Sequence, residues 1–338
     1  MFLSFSTASD RRTAGSTIEI SARGKWINVP ALAVEGKNII VRGKWVRKGI
    51  VEAEEWLETE LEDPESCIRR LKEQKSRALR ADFLIFTQKL PAVSPKYSYP
   101  MEWHSVAAVH ITSFKEWWDK LPQETRKNVR RSQKRNVVVE VKSLDDDLVR
   151  GIIEVNNDSP VRQKVPFTHY GKTFEQVKKD QSSFIERSDF ICAYLGNELI
   201  GFMKIVYRGQ VASILQNLSR ASHYDKRPSN ALLAKAVELC EAKGISYLTY
   251  GMFNYGNKRD SSLRDFKIRN GFVEILVPKF YIPLTVWGAL CLKLRLHRGL
   301  LGVLPHSVIT GGVRARAKWY EFREQMSRRS SMPERSKS

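Results

Sequence analysis

The chain has 338 residues, 42% hydrophobic and 28% charged, which suits a folded protein with room for two units and excludes a wholly disordered or polytopic membrane chain. Its formal charge of +20 draws it toward phosphates, anionic lipid or acidic substrates without choosing among them. Four scattered cysteines, Cys67, Cys192, Cys240 and Cys291, with no CxxC pair, read as reduced core thiols and argue against a disulfide frame or a metal site.

The start, "MFLSFSTASDRR", has too short an apolar run for a signal peptide, so a cytoplasmic protein is expected. Short β-type runs follow, "TIEISA", "WINVPALAV" and "NIIVRGKWV", with "EGKN" as a hairpin turn. From Glu52 to Arg80 the pattern becomes helical, with Pro64 separating two helices, and "ADFLIFTQKLP" and "WHSVAAVHI" read as strands. These residues, 1–120, are expected to form a small α/β unit.

"LPQETRKNVRRSQKRN" then sets six basic side chains against one acid. Pro122 and Glu124 suit a helix start, and Arg126, Lys127, Arg130, Arg131, Lys134 and Arg135 fall on one half of that helix. Such a face is either solvated charge or a phosphate contact; with no aromatic residue interleaved, base stacking is not indicated. This basic helix, 121–136, leads into a second unit, 137–284. It opens with the strand "NVVVEVKSL" and helices over Asp145–Asn156 and Thr173–Glu186. Three antiparallel strands follow in "DFICAYLGNELIGFMKIVYRGQVASILQNLS", turning at "GNE" and "RGQ". The helix "RPSNALLAKAVELCEAKG", ended by Gly244, precedes the strand "ISYLTYG", a short helix "SSLRDFKIRNG" and the strand "FVEILVPKFYIPL".

The tail after Pro283 is helical, basic and apolar over 285–326, and Ser/Arg-rich and disordered over 327–338. Trp287, Leu290, Leu294 and Leu301 share a helical side, with Lys293, Arg295 and Arg298 elsewhere. Either a helix packed on the core or one lying on an anionic membrane surface is expected, which would make the protein peripheral on the inner face. "YIPLTVWGALCL" is too short to span a bilayer.

The second unit resembles the GNAT acetyltransferase fold, and more closely its FemAB-like branch, in which two such units are fused. "LPQETRKNVRRSQKRNVVVEV" resembles the branch's Leu-x-x-x-x-Arg-x-x-x-Arg bridging segment, "YDKRPSNALLAKAVELCEAKGISYLTYG" its central helix and strand, and "SSLRDFKIRNGF" its Leu-x-x-Phe-Lys-x-x-x-Gly close. The resemblance implies an α/β (α+β) fold of two GNAT-like units in tandem, each a mixed, mostly antiparallel sheet flanked by helices. It further implies an acyltransferase using acyl-CoA (acetyl-CoA) and no metal. The acyl group would pass by direct attack to an amine or hydroxyl of a cell-envelope saccharide or its lipid-linked precursor. Some members of the branch take an amino acid from charged tRNA instead, and a non-catalytic RNA- or membrane-binding module is a third reading.

In this picture the turn Lys226, Arg227, Pro228, Ser229, Asn230 and Ala231 at the start of the Pro228 helix is an anion site for a phosphate-bearing donor, although an ordinary helix cap has the same letters. The family's Arg/Gln-x-x-Gly-x-Gly/Ala places hold Tyr224, Arg227 and Ser229, and a side chain at the first glycine place would crowd a pyrophosphate. Where the family has an acidic tyrosine, Phe266 and Lys267 stand; Lys267 is either a surface lysine or a cation for developing charge. Tyr250 and Tyr255 are the available phenols, as packing or as functional groups. Asn217 would bind acceptor or carbonyl, His169 is a candidate base or acceptor contact, and Arg126 and Arg130 are candidate substrate contacts.

Overall fold

The structure is a computed structural model and describes residues 16–22, 25–52, 60–162, 165–254 and 262–298. In the N-terminal half, β1 (Ser16–Ala22), β2 (Lys25–Val34), β3 (Lys37–Arg42) and β4 (Lys48–Val51) form an antiparallel meander. Glu35 and Gly36, with φ of 49° and 73°, make the β2–β3 turn, whose two left-handed residues match the twist of a hairpin. Helix α1 (Pro64–Lys72) starts where Asp63 accepts the Ser66 N–H at 2.9 Å. It carries the chain over to β5 (Phe83–Thr87), buried throughout and parallel to β4. β6 (Met101–His110) and α2 (Phe114–Lys120) complete this half.

The second half repeats the plan. α3 (Gln123–Lys134) leads into β7 (Val137–Lys142), α4 (Asp146–Asn157), the two-residue strands β8 (Val161–Arg162) and β9 (Val165–Pro166), and α5 (Phe174–Gln181). Then come β10 (Ser188–Leu195), β11 (Glu198–Arg208) and β12 (Val211–Ser219), α6 (Pro228–Ala242), β13 (Tyr247–Thr249), α7 (Ser262–Arg269), β14 (Val273–Pro283) and α8 (Val286–Lys293). Each half thus has four antiparallel strands, a helix, and a fifth strand parallel to the fourth.

The sixth strands change places. β6 pairs antiparallel with β13 of the second half, whereas β14 pairs with β5 of the first half and with β6. The result is one 12-stranded sheet in the order β1-β2-β3-β4-β5-β14-β6-β13-β12-β11-β10-β7. Its cores are a cluster under α6 and α2, a second under α4 and α5, and a third built on α1, β2, β3 and β5 with Phe280 of β14.

The basic helix α3 buries Thr125, Val129 and Ser132, the i, i+4, i+7 stripe of one face, and turns Lys127, Arg130, Lys134 and Arg135 to solvent. All four cysteines are buried and free, and burial pushes the thiols of Cys67, Cys192 and Cys240 up to about 12, which makes them inert packing groups. The helix expected to reach Glu186 ends at Gln181. Ser182 Oγ and Ser183 Oγ take the carbonyls of Lys178 and Asp180, and the buried Lys204 Nζ takes those of Gln181 and Ser183, at 2.6 and 2.5 Å. With its last carbonyls satisfied, the helix stops, and Phe184 reverses the chain at φ 56°.

Because the Phe280 ring packs tilted against Phe86 at 5.1 Å and edge-on to Tyr97 at 5.4 Å in the first half while its own strand belongs to the second, Phe280→Ala should cost about 3–5 kcal/mol. The two halves should still unfold together. Coincident denaturation curves by circular dichroism and tryptophan fluorescence, at a lower midpoint, are the expected result.

Candidate active site

β12 and β13 are parallel neighbours for only three residue pairs, Val211–Ser213 against Tyr247–Thr249. Ser213 Oγ and Thr249 Oγ1, 2.9 Å apart and buried, mark their last joint. Beyond it β12 continues to Ser219 through a register shift against β11 between Lys204 and Ile205, which leaves Leu215 as the extra residue. The chain after β13 goes the other way: Tyr250 N–H bonds to Ala107 O of β6, and Ala107 N–H to Gly251 O, both at 2.9 Å. The parallel strands therefore part, and the backbone of β12 from Ile214 onward borders an opening.

Lys267 reaches the chain just past the end of β13. The "FK" pair lies on α7, where Phe266 packs into the core beneath α6 and Lys267 is fully buried. Its Nζ donates to Met252 O at 2.7 Å and lies 4.8 Å from the centre of the Tyr250 ring. A carbonyl and a π face both favour the ammonium, yet burial outweighs them and lowers the pKa to about 8. The surface-lysine alternative is thereby excluded, and Tyr250 serves as the wall against which the cation sits, its other edge against Phe272.

The start of α6 holds all the proposed donor-binding residues, but much of its anion-binding capacity is already used. Arg227 is the N-cap with φ 58° and ψ 41°, so the first glycine place of the family pattern keeps a glycine-like left-handed backbone while carrying a side chain. Pro228 has no N–H, and the N–H groups of Asn230 and Ala231 turn to Arg227 O. Ser229 Oγ pairs with Ser219 Oγ at 2.8 Å, and Asn230 Nδ2 donates to Asn270 Oδ1 at 3.0 Å. Lys226 faces Asp225 at 3.4 Å, and Asp225 also receives Arg135 of α3 at 2.6 Å. Ser229 and Asn230 fasten the helix to the sheet and to α7, and the cationic side chains are what the turn offers a phosphate.

Asn217 lies on β12 beyond the joint, and its buried Oδ1 has no partner among the described residues. Neither amide atom of Asn156, near the end of α4 and 1% exposed, has one either. Arg162 connects the two places: Nη1 donates to Ser219 O and Nη2 to Val155 O, both at 2.9 Å. Sequence reading missed Asn156 and Arg162, because "VNND" at a helix end looks like solvated polarity; a polar residue on the apolar face, at i+4 from Ile152, was the available signal.

His169 is placed elsewhere. Its Nδ1 is 3.7 Å from Asp180 Oδ2, and Asp180 also accepts from Trp26 Nε1 and Lys172 Nζ. Burial alone would raise the Asp180 carboxyl, but these donors hold it at about 2. Among the described residues no contact joins His169 to Lys267, Tyr250 or Asn217, so its expected place at the same cleft gives way to an ion cluster linking α5 to the β1–β2 hairpin. Arg130 remains on the outward side of α3, over the Trp118 ring at 5.7 Å, and Arg126 is half-buried. Tyr255 lies outside the described residues.

Two outcomes test this geometry. Between about 8 and the ordinary lysine value of 10.5 the unfolded chain binds a proton at position 267 that the folded chain does not, so Lys267 adds stability as pH rises through that window. The unfolding free energy of the wild type, relative to Lys267→Met, should climb from pH 8 toward 10.5 and level off at either side. Asn156→Leu, which removes an unpaired buried amide, should stabilise the protein by about 1 kcal/mol in thermal unfolding while lowering its activity.

No family model and no curated protein matches the sequence. Among solved structures the chain is similar to FemX, with 11% identity, a TM-score of 0.53 and 83% of this chain and 90% of that one covered. It is similar to the L-PGS of Bacillus licheniformis at 14% identity and a TM-score of 0.51, covering 81% and 89%. It is also similar to the C-terminal domain of a putative lysylphosphatidylglycerol synthetase from Agrobacterium fabrum at 14% and 0.50, covering 78% and 87%. At such identities the likeness concerns the fold. The chain has a GNAT-like tandem fold of the FemAB-like type, two units joined in one mixed sheet flanked by helices.

Proposed function

We propose that the protein is an acyl-transfer enzyme in which an amine or hydroxyl attacks an activated carbonyl held where β12 and β13 part. The observation that carries this reading is the buried Lys267 cation just past the end of β13. As the new C–N or C–O bond forms, charge moves to the carbonyl oxygen, and a desolvated ammonium stabilises it far better than water does. The tetrahedral intermediate then expels the donor's oxygen or sulfur, which leaves with the proton lost by the acceptor. Asn217 Oδ1, buried and unpartnered, would orient an acceptor N–H or O–H.

For the donor, an aminoacyl-tRNA is favoured. The amides at the start of α6 are largely spent, whereas α3 runs beside the site with an exposed row of cations. Thr125 Oγ1 donates to Arg269 O at the end of α7, and Arg135 holds Asp225 before α6. Many separate cations suit a polyphosphate chain better than one pyrophosphate. The similarity to FemX and to lysylphosphatidylglycerol synthetases, and the branch's use of charged tRNA, support this choice. Acyl-CoA is the second reading, favoured by the left-handed backbone retained at Arg227. The acceptor is proposed to be an amine or hydroxyl of a cell-envelope saccharide or lipid-linked precursor.

Filter binding of charged tRNA across a salt series separates the readings. Arg126→Ala and Arg130→Ala should each weaken binding and reduce the salt slope by about 1, and Lys267→Met should leave binding intact but slow transfer by about 10²-fold. Acetyl-CoA should not shift the unfolding temperature. A saturable shift that Arg227→Ala weakens, with no salt-dependent tRNA binding, would replace the first reading by the second.

A further inference from the structure

α8 is docked with its apolar side outward. Thr285 caps it, accepting the Gly288 N–H at 2.9 Å, and donates to Asp82 Oδ1 at 2.9 Å. Gly288 lies so close to the sheet that a Cβ would stand 2.1 Å from Asp82 O, and Cys291, one turn on, is fully buried. These small residues form the inner side. The outer side is Val286, Trp287, Leu290 and Leu294, exposed by 89%, 46%, 44% and 52%. Trp45, on the turn between β3 and β4, joins them at 88% exposure, its carbonyl accepting the Trp287 Nε1–H at 3.1 Å.

Two segments distant in sequence thus build one exposed apolar surface with two indoles, a feature that soluble monomers seldom carry without a partner. The two segments that build it are cationic: "RGKWVRKG" and "PLTVWGALCLKLRLHR" contain no Asp or Glu, Lys44, Lys293 and Arg295 are exposed, and the neighbouring acids Asp82 and Glu102 are partly buried and hydrogen-bonded to these same segments. The described chain leaves this surface inward. After α8 the buried His297 donates to or accepts from Glu102 at 2.8 Å and packs on Tyr281, and Arg298 Nε also bonds to Glu102.

We propose that the outer side of α8 and the Trp45 turn form a docking surface for an anionic lipid bilayer. Indoles at headgroup depth, aliphatic side chains just below and lysines and arginines around the edge match the layering of such an interface. α8, with eight residues, is too short to span a bilayer, so the contact it makes lies at the bilayer surface. This reading is independent of which donor the site uses.

The test is flotation of the full chain with phosphatidylcholine vesicles and with vesicles that also contain phosphatidylglycerol. The wild type should float with the mixed vesicles only. Trp45→Ser with Leu290→Ser, both exposed and so expected to leave the unfolding temperature unchanged, should weaken partitioning about tenfold, and Arg130→Ala with Lys134→Ala on α3 should not. Absence of flotation would overturn the proposal. So would equal binding by the Trp45/Leu290 variant, because charge elsewhere would then hold the lipid. A wild-type dimer in sedimentation analysis that this variant converts to a monomer, without vesicle binding, would assign the surface to a second copy instead.

Discussion

Two parallel strands that hydrogen-bond briefly and then separate must find other partners for their backbone groups, and much of this structure follows from that requirement. On one side β6 meets it. Crossing from the first half, it takes the Tyr250 N–H and donates to Gly251 O just where β13 leaves β12. On the other side the bulge at Leu215 turns β12 away. The exchange of β6 and β14 is therefore more than a joint between two units. It supplies the hydrogen bonds that keep the opening from closing into an ordinary sheet, so the tandem architecture and the site have one physical cause.

Among the described residues two lysines are buried, Lys204 on β11 and Lys267 on α7, each lowered to about 8 by desolvation, and their positions divide their roles. Lys204 Nζ is held by Gln181 O, Ser183 O and Ser183 Oγ, and Asp180 offsets part of the burial cost. That is a cap for the end of α5. Lys267 likewise lies against a ring and a carbonyl, as Lys204 does against Phe190 at 5.3 Å, but it does so at the end of β13, beside the strands proposed to hold the reacting carbonyl. A pKa alone would not have distinguished them; position does.

Most of the local structure was legible in the sequence. Turns at Gly196 and Gly209, both with positive φ, separate β10, β11 and β12 as the "GNE" and "RGQ" signals indicate, and Gly244 with φ 67° ends α6 as a glycine past a helix should. What was not legible is non-local. Nothing in "WHSVAAVHI" says that it will pair with strands more than a hundred residues later, since periodicity reports a buried face and not a neighbour. Lys267 lies on a helix of eight residues, too short for its pattern to reveal which side is covered. Asn156 lies in the last turn of its helix, where a polar residue reads as solvated, and the Trp45 turn joins α8 only in three dimensions.

Arg227 shows that a backbone shape and the side chain that occupies it can be set independently. Its φ of 58° gives the turn before α6 the shape a glycine would give it, at a cost of about 1 kcal/mol for a left-handed residue with a Cβ. A glycine in that place does two things: it permits the turn, and it leaves room for a phosphate to approach the amides. This chain retains the first property without the second. With Pro228 lacking an N–H and two further amides turned inward, a phosphate arriving at α6 meets Lys226 and Arg227 side chains rather than a backbone cradle. Long cationic side chains hold a charge without fixing the shape of the group that bears it. The turn therefore presents positive charge without the close-fitting backbone cradle that a glycine in this place would open.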